Sequence, residues 1–324
     1  MASAAAAASP IVRRALLYVP GSSMRFLEKS RGISVDTIAY DLEDSVTPGK
    51  KAEARQNLKQ ILSRERSSSI KEQAVRINSV DSGYALEDLT EVLKAPNLDA
   101  LVVPKVNSPS DLHFITDVLR HTQPQRHSTA PDKDQKPIQI IALIESARAV
   151  MDLKAICAST PYLSGLIFAA EDFALDLSIT RTPELKEFLY ARSAIATAAR
   201  AFSLPSTIDL VTTAFRGDEG ARILKAESED GKRMGFNGKQ CIHPSQVQVV
   251  QDVFGPGEEE VEWAVRVVVA DEKADKQGRG AWTLDGKMID VPVVGKAKAL
   301  VKKAEACGVD VSAVREKWKE QEPE

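Results

Sequence analysis

Eight times along this chain a short apolar run ends in polar or charged residues and gives way to a stretch with helical spacing. The runs cover 15–21, 37–44, 74–78, 100–106, 139–146, 165–172, 207–211 and 239–244. Between them, Ala54, Leu58, Ile61 and Leu62 fall on one helical face, and 191–202 contains neither Pro nor Gly. Strands alternating with helices call for right-handed βαβ crossovers and a parallel sheet. Eight such units predict an α/β protein with a closed (β/α)8 TIM barrel. The open doubly wound sheet is disfavoured because Pro20-Gly21-Ser22-Ser23 follows the first run, where the dinucleotide fingerprint would stand.

The 324 residues leave room for more than a barrel of about 250. We expect the barrel over 15–256 and a C-terminal helical and hairpin extension over 257–324. In the extension, Val261, Ala264, Val265, Val268 and Val269 line one side of a helix over 258–277. A hairpin or turn is expected over 282–290 around Asp285-Gly286. A second helix over 293–307 stops at Gly308, a good residue for a helix end. Such an extension suits a lid or an arm reaching a neighbouring subunit. Residues 63–73 and 121–137 read as polar surface loops.

Residues 1–14 are mostly Ala and Ser with Arg13 and Arg14, and no acid precedes Glu28. That start reads as a disordered tail or a mitochondrial targeting segment, so the protein is placed inside the cell, in cytoplasm or mitochondria. The three cysteines, Cys157, Cys241 and Cys307, lack the spacing of a disulfide scaffold or zinc site. With 43 basic against 46 acidic groups, a strongly basic nucleic-acid binder is excluded. No apolar run reaches the roughly 18 residues of a membrane span.

In a barrel of this kind the chemistry sits at the C-terminal strand ends. Those ends here carry Asp41, Glu43 and Asp44, then Arg76, Lys105, Glu145, Glu171 and Asp172, Asp209, and His243. Four strands thus offer carboxylates to one rim. A carboxylate set without Cys and with one His suits Mg²⁺, which takes one or two carboxylates and fills its shell with water and substrate oxygens. Any single acid is more simply a helix cap or an ion-pair partner, and Asp41 and Asp209 fit that reading. Glu145 and Asp172 each follow a strongly apolar run and are expected to point into the mouth. Arg76 suits bidentate binding of a carboxylate or developing oxyanion, or a salt bridge to Glu43 or Asp44. His243 is more simply structural than catalytic. Gly21 permits close backbone approach to a ligand or a tight turn. Arg25 and Lys29, one turn apart on the first helix, could meet phosphates or form a solvated face.

Taken in order, these stretches resemble the citrate lyase β-subunit-like family, in the malyl-CoA and citramalyl-CoA lyase-like branch of the Mg-dependent aldolase/citrate lyase superfamily. They are Leu17-Tyr18-Val19-Pro20-Gly21-Ser22, Asp41-Leu42-Glu43-Asp44-Ser45-Val46, Val75-Arg76-Ile77-Asn78, Val103-Pro104-Lys105, Leu143-Ile144-Glu145-Ser146-Ala147, Ala170-Glu171-Asp172, Gly235-Phe236-Asn237-Gly238-Lys239 and Ile242-His243-Pro244-Ser245-Gln246. The resemblance implies that Glu145 and Asp172 are Mg²⁺ ligands, that Arg76 and Glu145 bind substrate, and that Arg25 and Lys29 contact coenzyme A. Gly286-Lys287-Met288-Ile289-Asp290-Val291-Pro292 looks like the segment that brings a catalytic Asp, here Asp290, over a neighbouring subunit's site. The second-strand acids have no His beside them, which favours the acyl-CoA branch. Ala169 stands where the family often has Gly, so a methyl narrows the pocket floor.

The implied reaction is reversible Claisen-type cleavage of a 3-hydroxyacyl-CoA such as malyl-CoA or citramalyl-CoA to acetyl-CoA and a 2-oxo acid. The cofactor is Mg²⁺, and the partners are the acyl-CoA, the 2-oxo acid and further copies of the chain, as a trimer or hexamer. The alternatives are an Mg-dependent aldolase on free hydroxy-oxo acids, or a barrel homologue that binds without catalysing.

Overall fold

The computed structural model describes residues 11–127 and 135–324. Eight parallel strands close on themselves: β1 Ala15–Pro20, β2 Val35–Asp41, β3 Ile70–Arg76, β4 Ala100–Val103, β5 Gln139–Ile144, β6 Leu163–Phe168, β7 Ser206–Asp209 and β8 Gly238–Cys241. Leu16 pairs with Thr37 of β2 and with Gln240 of β8, so the sheet has no free edge. Each of the eight sequence runs overlaps one strand. Runs such as Ala-Leu-Val-Val in β4 are apolar throughout because a parallel barrel buries both faces of each strand.

Successive side chains alternate between the two faces. Leu16, Ala39, Ala74, Ala100, Ile141 and Ile208 pack with one another inside the barrel. Ala15, Leu17, Val19, Ile38 and Tyr40 face the surrounding helices in the larger core. The floor is polar. Arg13, only 2% exposed, forks onto Glu72 with two bonds of 2.7 Å and reaches Ser164 and Ser206. Arg14 pairs with Asp36 at 2.7 Å.

Two loop expectations need correction. In 63–73, β3 already begins at Ile70, and Lys71-Glu72-Gln73 is polar because Glu72 serves the floor. In 121–137, a helix continues to Thr122 and a helical turn follows over Pro124–His127, with His127 buried. Residues 128–134 of that stretch, and 1–10 of the N-terminal tail, lie outside the described residues.

Gly255–Glu324 forms a separate compact unit from Arg13–Phe254. Its helix Glu258–Lys276 presents Ala264, Val267 and Val268 to Trp282, Leu284, Ile289 and Val294. The antiparallel pair β9 Trp282–Leu284 and β10 Lys287–Ile289 turns at Asp285 (φ +50°) and Gly286 (φ +72°), as a two-residue hairpin requires. Helix Val291–Ala306 follows, and a further helix, Val311–Lys317, begins at Asp310, whose carboxylate accepts from the Ala313 amide. No helix of the described residues is long and apolar enough to cross a membrane.

Candidate active site

The C-terminal mouth of the barrel holds a cavity of about 470 Å³, lined among others by Tyr18, Asp41, Arg76, Ala169, Asp172 and Gln240. Its electrostatic centre is built by register. Asp41 ends β2 directly beside Arg76 at the end of β3. The guanidinium meets Asp41 through two bonds, 2.7 and 2.8 Å, and reaches Glu43 at 3.0 Å and Asp44 at 3.7 Å. The salt-bridge reading of Arg76 is therefore realised, with Asp41 as its main partner. Burial opposes the charge on Arg76, but the hydrogen bonds and charge of Asp41 outweigh it, and its pKa rises. Burial likewise pushes Asp41 upward, and Arg76 overcomes that and holds it below the usual carboxylate range.

Glu145 follows β5 and is 7% exposed. Its carboxylate accepts from the backbone amide of Lys105, a residue held in the left-handed region (φ +52°). The Lys105 ammonium in turn reaches Glu43 at 3.1 Å. Burial, then the charges of Asp172 and Glu43, push Glu145 up to about 8. Asp172 lies half-buried in the first turn of helix Ala170–Leu177, and no hydrogen-bond donor of the described residues reaches its carboxylate. The amide and ammonium of Lys105 oppose the rise at Glu145 without cancelling it, so added positive charge beside Glu145 and Asp172 would be favoured. Among the described residues no three His, Cys, Asp or Glu side chains form a complete cage. Mg²⁺ does not need one, since water and substrate oxygens complete its shell. The donor set fits that ion.

The remaining sequence candidates sort by position. Arg25 and Lys29 are exposed on helix Met24–Ser30, which starts just beyond β1 at the same rim. Asp290 belongs to the C-terminal unit, where it caps helix Val291–Ala306 by accepting from the Val293 amide at 3.1 Å. His243 is exposed, and its Nδ1 accepts from the Ser245 amide at 3.2 Å while its ring stacks on Phe215. That is the structural role expected for it. Asp209 does not reach the mouth. Ser206 and Ile208 are the inward residues of β7, so Asp209 turns outward onto buried Arg192 at 2.7 and 3.1 Å. Three strand ends, not four, bring carboxylates to the cavity. Gly21 sits where an added Cβ would lie 2.7 Å from the Asp41 carbonyl, so its role is close backbone approach between β1 and β2. Cys157 and Cys241 are buried, and burial pushes their thiols to about 11 and about 12, so neither is an activated nucleophile.

Three residues in or around the mouth escaped the sequence reading. Tyr18 lies against the Arg76 guanidinium, 4.7 Å from ring centre to carbon, and its hydroxyl donates to Gln240. Gln240 can only accept there through its oxygen, because its amide donates to the carbonyls of Phe168 and Asp209. The signal was alternation: Tyr18 is two residues after inward-facing Leu16. Arg181, beyond the sixth strand, bonds Glu171, and nothing in its sequence neighbourhood marks it.

Residues 14–244 match the HpcH/HpaI aldolase/citrate lyase family. Human mitochondrial citramalyl-CoA lyase is 37% identical over 300 residues, covering 90% of this chain and 85% of that protein. A (3S)-malyl-CoA thioesterase of Cereibacter sphaeroides is 34% identical over 293 residues, covering 90% and 95%. Among solved structures, protein CitE from Mycobacterium tuberculosis, in complex with magnesium, acetoacetate and coenzyme A, aligns with a TM-score of 0.67 and 26% identity over 92% of this chain and 99% of that one. The family match spans the barrel and every strand end that builds the mouth, and the chain belongs to the HpcH/HpaI aldolase/citrate lyase family.

Proposed function

We propose that this chain is an Mg²⁺-dependent carbon–carbon lyase that reversibly cleaves a 3-hydroxyacyl-CoA, such as malyl-CoA or citramalyl-CoA, into acetyl-CoA and a 2-oxo acid. The observation that carries the reading is that buried Glu145 feels the charge of Asp172, which lines the mouth cavity together with Arg76. The named activities and ligands of the relatives agree with it. Glu145 and Asp172 would hold Mg²⁺, which supplies Lewis-acid polarisation of a hydroxyl or oxo oxygen.

The chain's own groups supply the rest. Cleavage gives up the hydroxyl proton to solvent water, turns the hydroxyl carbon into a carbonyl and leaves the C–C bonding pair on the acetyl-CoA carbon as an enolate. Asp41 fixes one edge of the Arg76 guanidinium, and a developing thioester oxyanion would meet the Nη1 edge by displacing Glu43 and Asp44 from it. Fixed donors of that kind contribute a few kcal/mol to a transition state. Asp290 is the proposed general acid/base that protonates the enolate carbon, or removes its proton in the reverse direction. It would come from the C-terminal unit of a neighbouring copy in a homo-oligomer such as a trimer or hexamer. Arg25 and Lys29 are the proposed contacts for the coenzyme A phosphates.

The test is a mass-spectrometric assay of the purified protein with malyl-CoA, citramalyl-CoA and citryl-CoA, in Mg²⁺ or in EDTA. The expected result is Mg²⁺-dependent loss of a thioester with acetyl-CoA and the matching 2-oxo acid appearing together. Free coenzyme A with an intact hydroxy acid would instead mean thioester hydrolysis. No loss of any thioester would leave the aldolase on free acids or a binding-only barrel.

A further inference from the structure

We propose that Arg181 is a positioning residue for the metal site, clamping the helical turn that carries Asp172 to the loop after β7. This inference rests on the reading of Glu145 and Asp172 as Mg²⁺ ligands.

Helix Ala170–Leu177 ends at Ser178, whose left-handed φ of +55° turns the chain back along the helix. Arg181 thereby reaches the first turn of the same helix. Its Nη1 donates to Glu171 at 2.6 Å and to the Val211 carbonyl at 2.9 Å, and its Nη2 donates to Glu227 at 2.7 Å. Glu171 precedes Asp172 directly, and Glu171 and Val211 both line the mouth cavity. One guanidinium therefore ties two walls of the cavity to a third element, helix Gly217–Arg233, which carries Glu227.

The anchor is itself held. Glu227 also accepts from the Thr212 hydroxyl and, at 3.3 Å, from Lys239, a side chain with no exposure at all. Thr212 is fixed in turn by Gln246, whose amide donates to its carbonyl at 2.9 Å. The Arg181 side chain is 16% exposed and Glu227 11%, so solvent competes mainly at the half-exposed Glu171 end of the clamp. The planar guanidinium holds the three acceptors in fixed directions from two nitrogens, which a lysine's single rotatable ammonium does not reproduce. No donor among the described residues reaches the Asp172 carboxylate, so the backbone of its turn is what sets where it stands.

The sign of the effect separates positioning from charge. Arg181 is a cation near the metal position. Removing it without moving anything would tighten binding of a divalent cation, whereas loosening the Asp172 turn would weaken it. Mn²⁺, titrated against the full-length protein and followed by EPR, is the probe, with thermal melting as the check on folding. For Arg181→Met we expect roughly tenfold weaker Mn²⁺ binding with the same number of sites. Arg181→Lys keeps the charge and is read if Arg181→Met does not melt cooperatively; it should weaken Mn²⁺ severalfold. Equal or tighter Mn²⁺ binding in a folded variant overturns the clamp. Absence of Mn²⁺ binding in the unaltered protein overturns the metal site itself, and the clamp with it.

Discussion

Burial of a titratable side chain leaves a mark that can be measured, and His127 is the clearest case outside the active site. It is 2% exposed, and its Nε2 accepts from the Ile138 amide at 3.1 Å. The ring is thus neutral with its proton on Nδ1, which meets no acceptor among the described residues. Burial, then the nearby charges of Arg126 and Arg120, lower its pKa from 6.5 to about 4. The unfolded chain binds a proton below pH 6.5 that the folded chain refuses until about pH 4. The stabilising contribution is therefore whole above 6.5 and is lost as the pH falls through that window, at about 1.4 kcal/mol per unit. Between pH 7 and pH 5 His127 should account for about 2 kcal/mol of lost unfolding free energy. Urea melts at the two values should show a smaller loss for His127→Gln, whose amide oxygen can still accept from Ile138. Equal losses in the two proteins would mean that His127 titrates normally when folded.

Elements were legible where one force dominated. The runs of β4, β5 and β6 stand out because both faces are buried, and their ends locate Glu145 and Asp172 without further help. The start of β3 was illegible because Glu72 is polar for a tertiary reason, the arginine in the floor. Asp209 was misplaced because its apolar neighbours do not say which face is inside; only pairing with β6 and β8 does. Arg181 is invisible to any local pattern, since its partners lie 10, 30 and 46 positions away. The same dependence on packing makes one glycine critical. A Cβ on Gly238 would lie 1.9 Å from the Arg13 carbonyl oxygen, where the chain enters β1 beside β8. That contact is with backbone, so no side chain can swing away. Gly238→Ala should destabilise the protein by more than about 2 kcal/mol, as overpacked core sites do. A denaturant midpoint equal to that of the unaltered protein would show that the β1–β8 seam yields at no cost.

At the scale of the molecule, the family model ends at residue 244, while the match to human citramalyl-CoA lyase covers 90% of the chain and so continues into the C-terminal unit. That unit carries Asp290, whose carboxylate caps a helix through the Val293 amide. Asn caps as well as Asp, so Asp290→Asn removes the acid while leaving the helix start intact. Alone it should lose turnover and keep Mg²⁺ and coenzyme A binding. Glu145→Gln should lose turnover by a different route, through weakened metal dependence. If Asp290 serves the barrel of another copy, the two defects are complementary. A hybrid made by co-expressing both variants under two affinity tags contains barrels that keep Glu145 next to copies that keep Asp290. Random assembly in a symmetric oligomer gives both intact groups to about a quarter of the sites. Double purification removes the unmixed oligomers, so hybrids should recover activity at about a third of the sites in a trimer and about a quarter in a hexamer, although each parent is inactive. If Asp290 instead serves its own barrel, no site in the hybrid has both groups and no activity returns. The oligomer would then have no catalytic reason to exist, and the C-terminal unit would act as a lid on the chain that carries it.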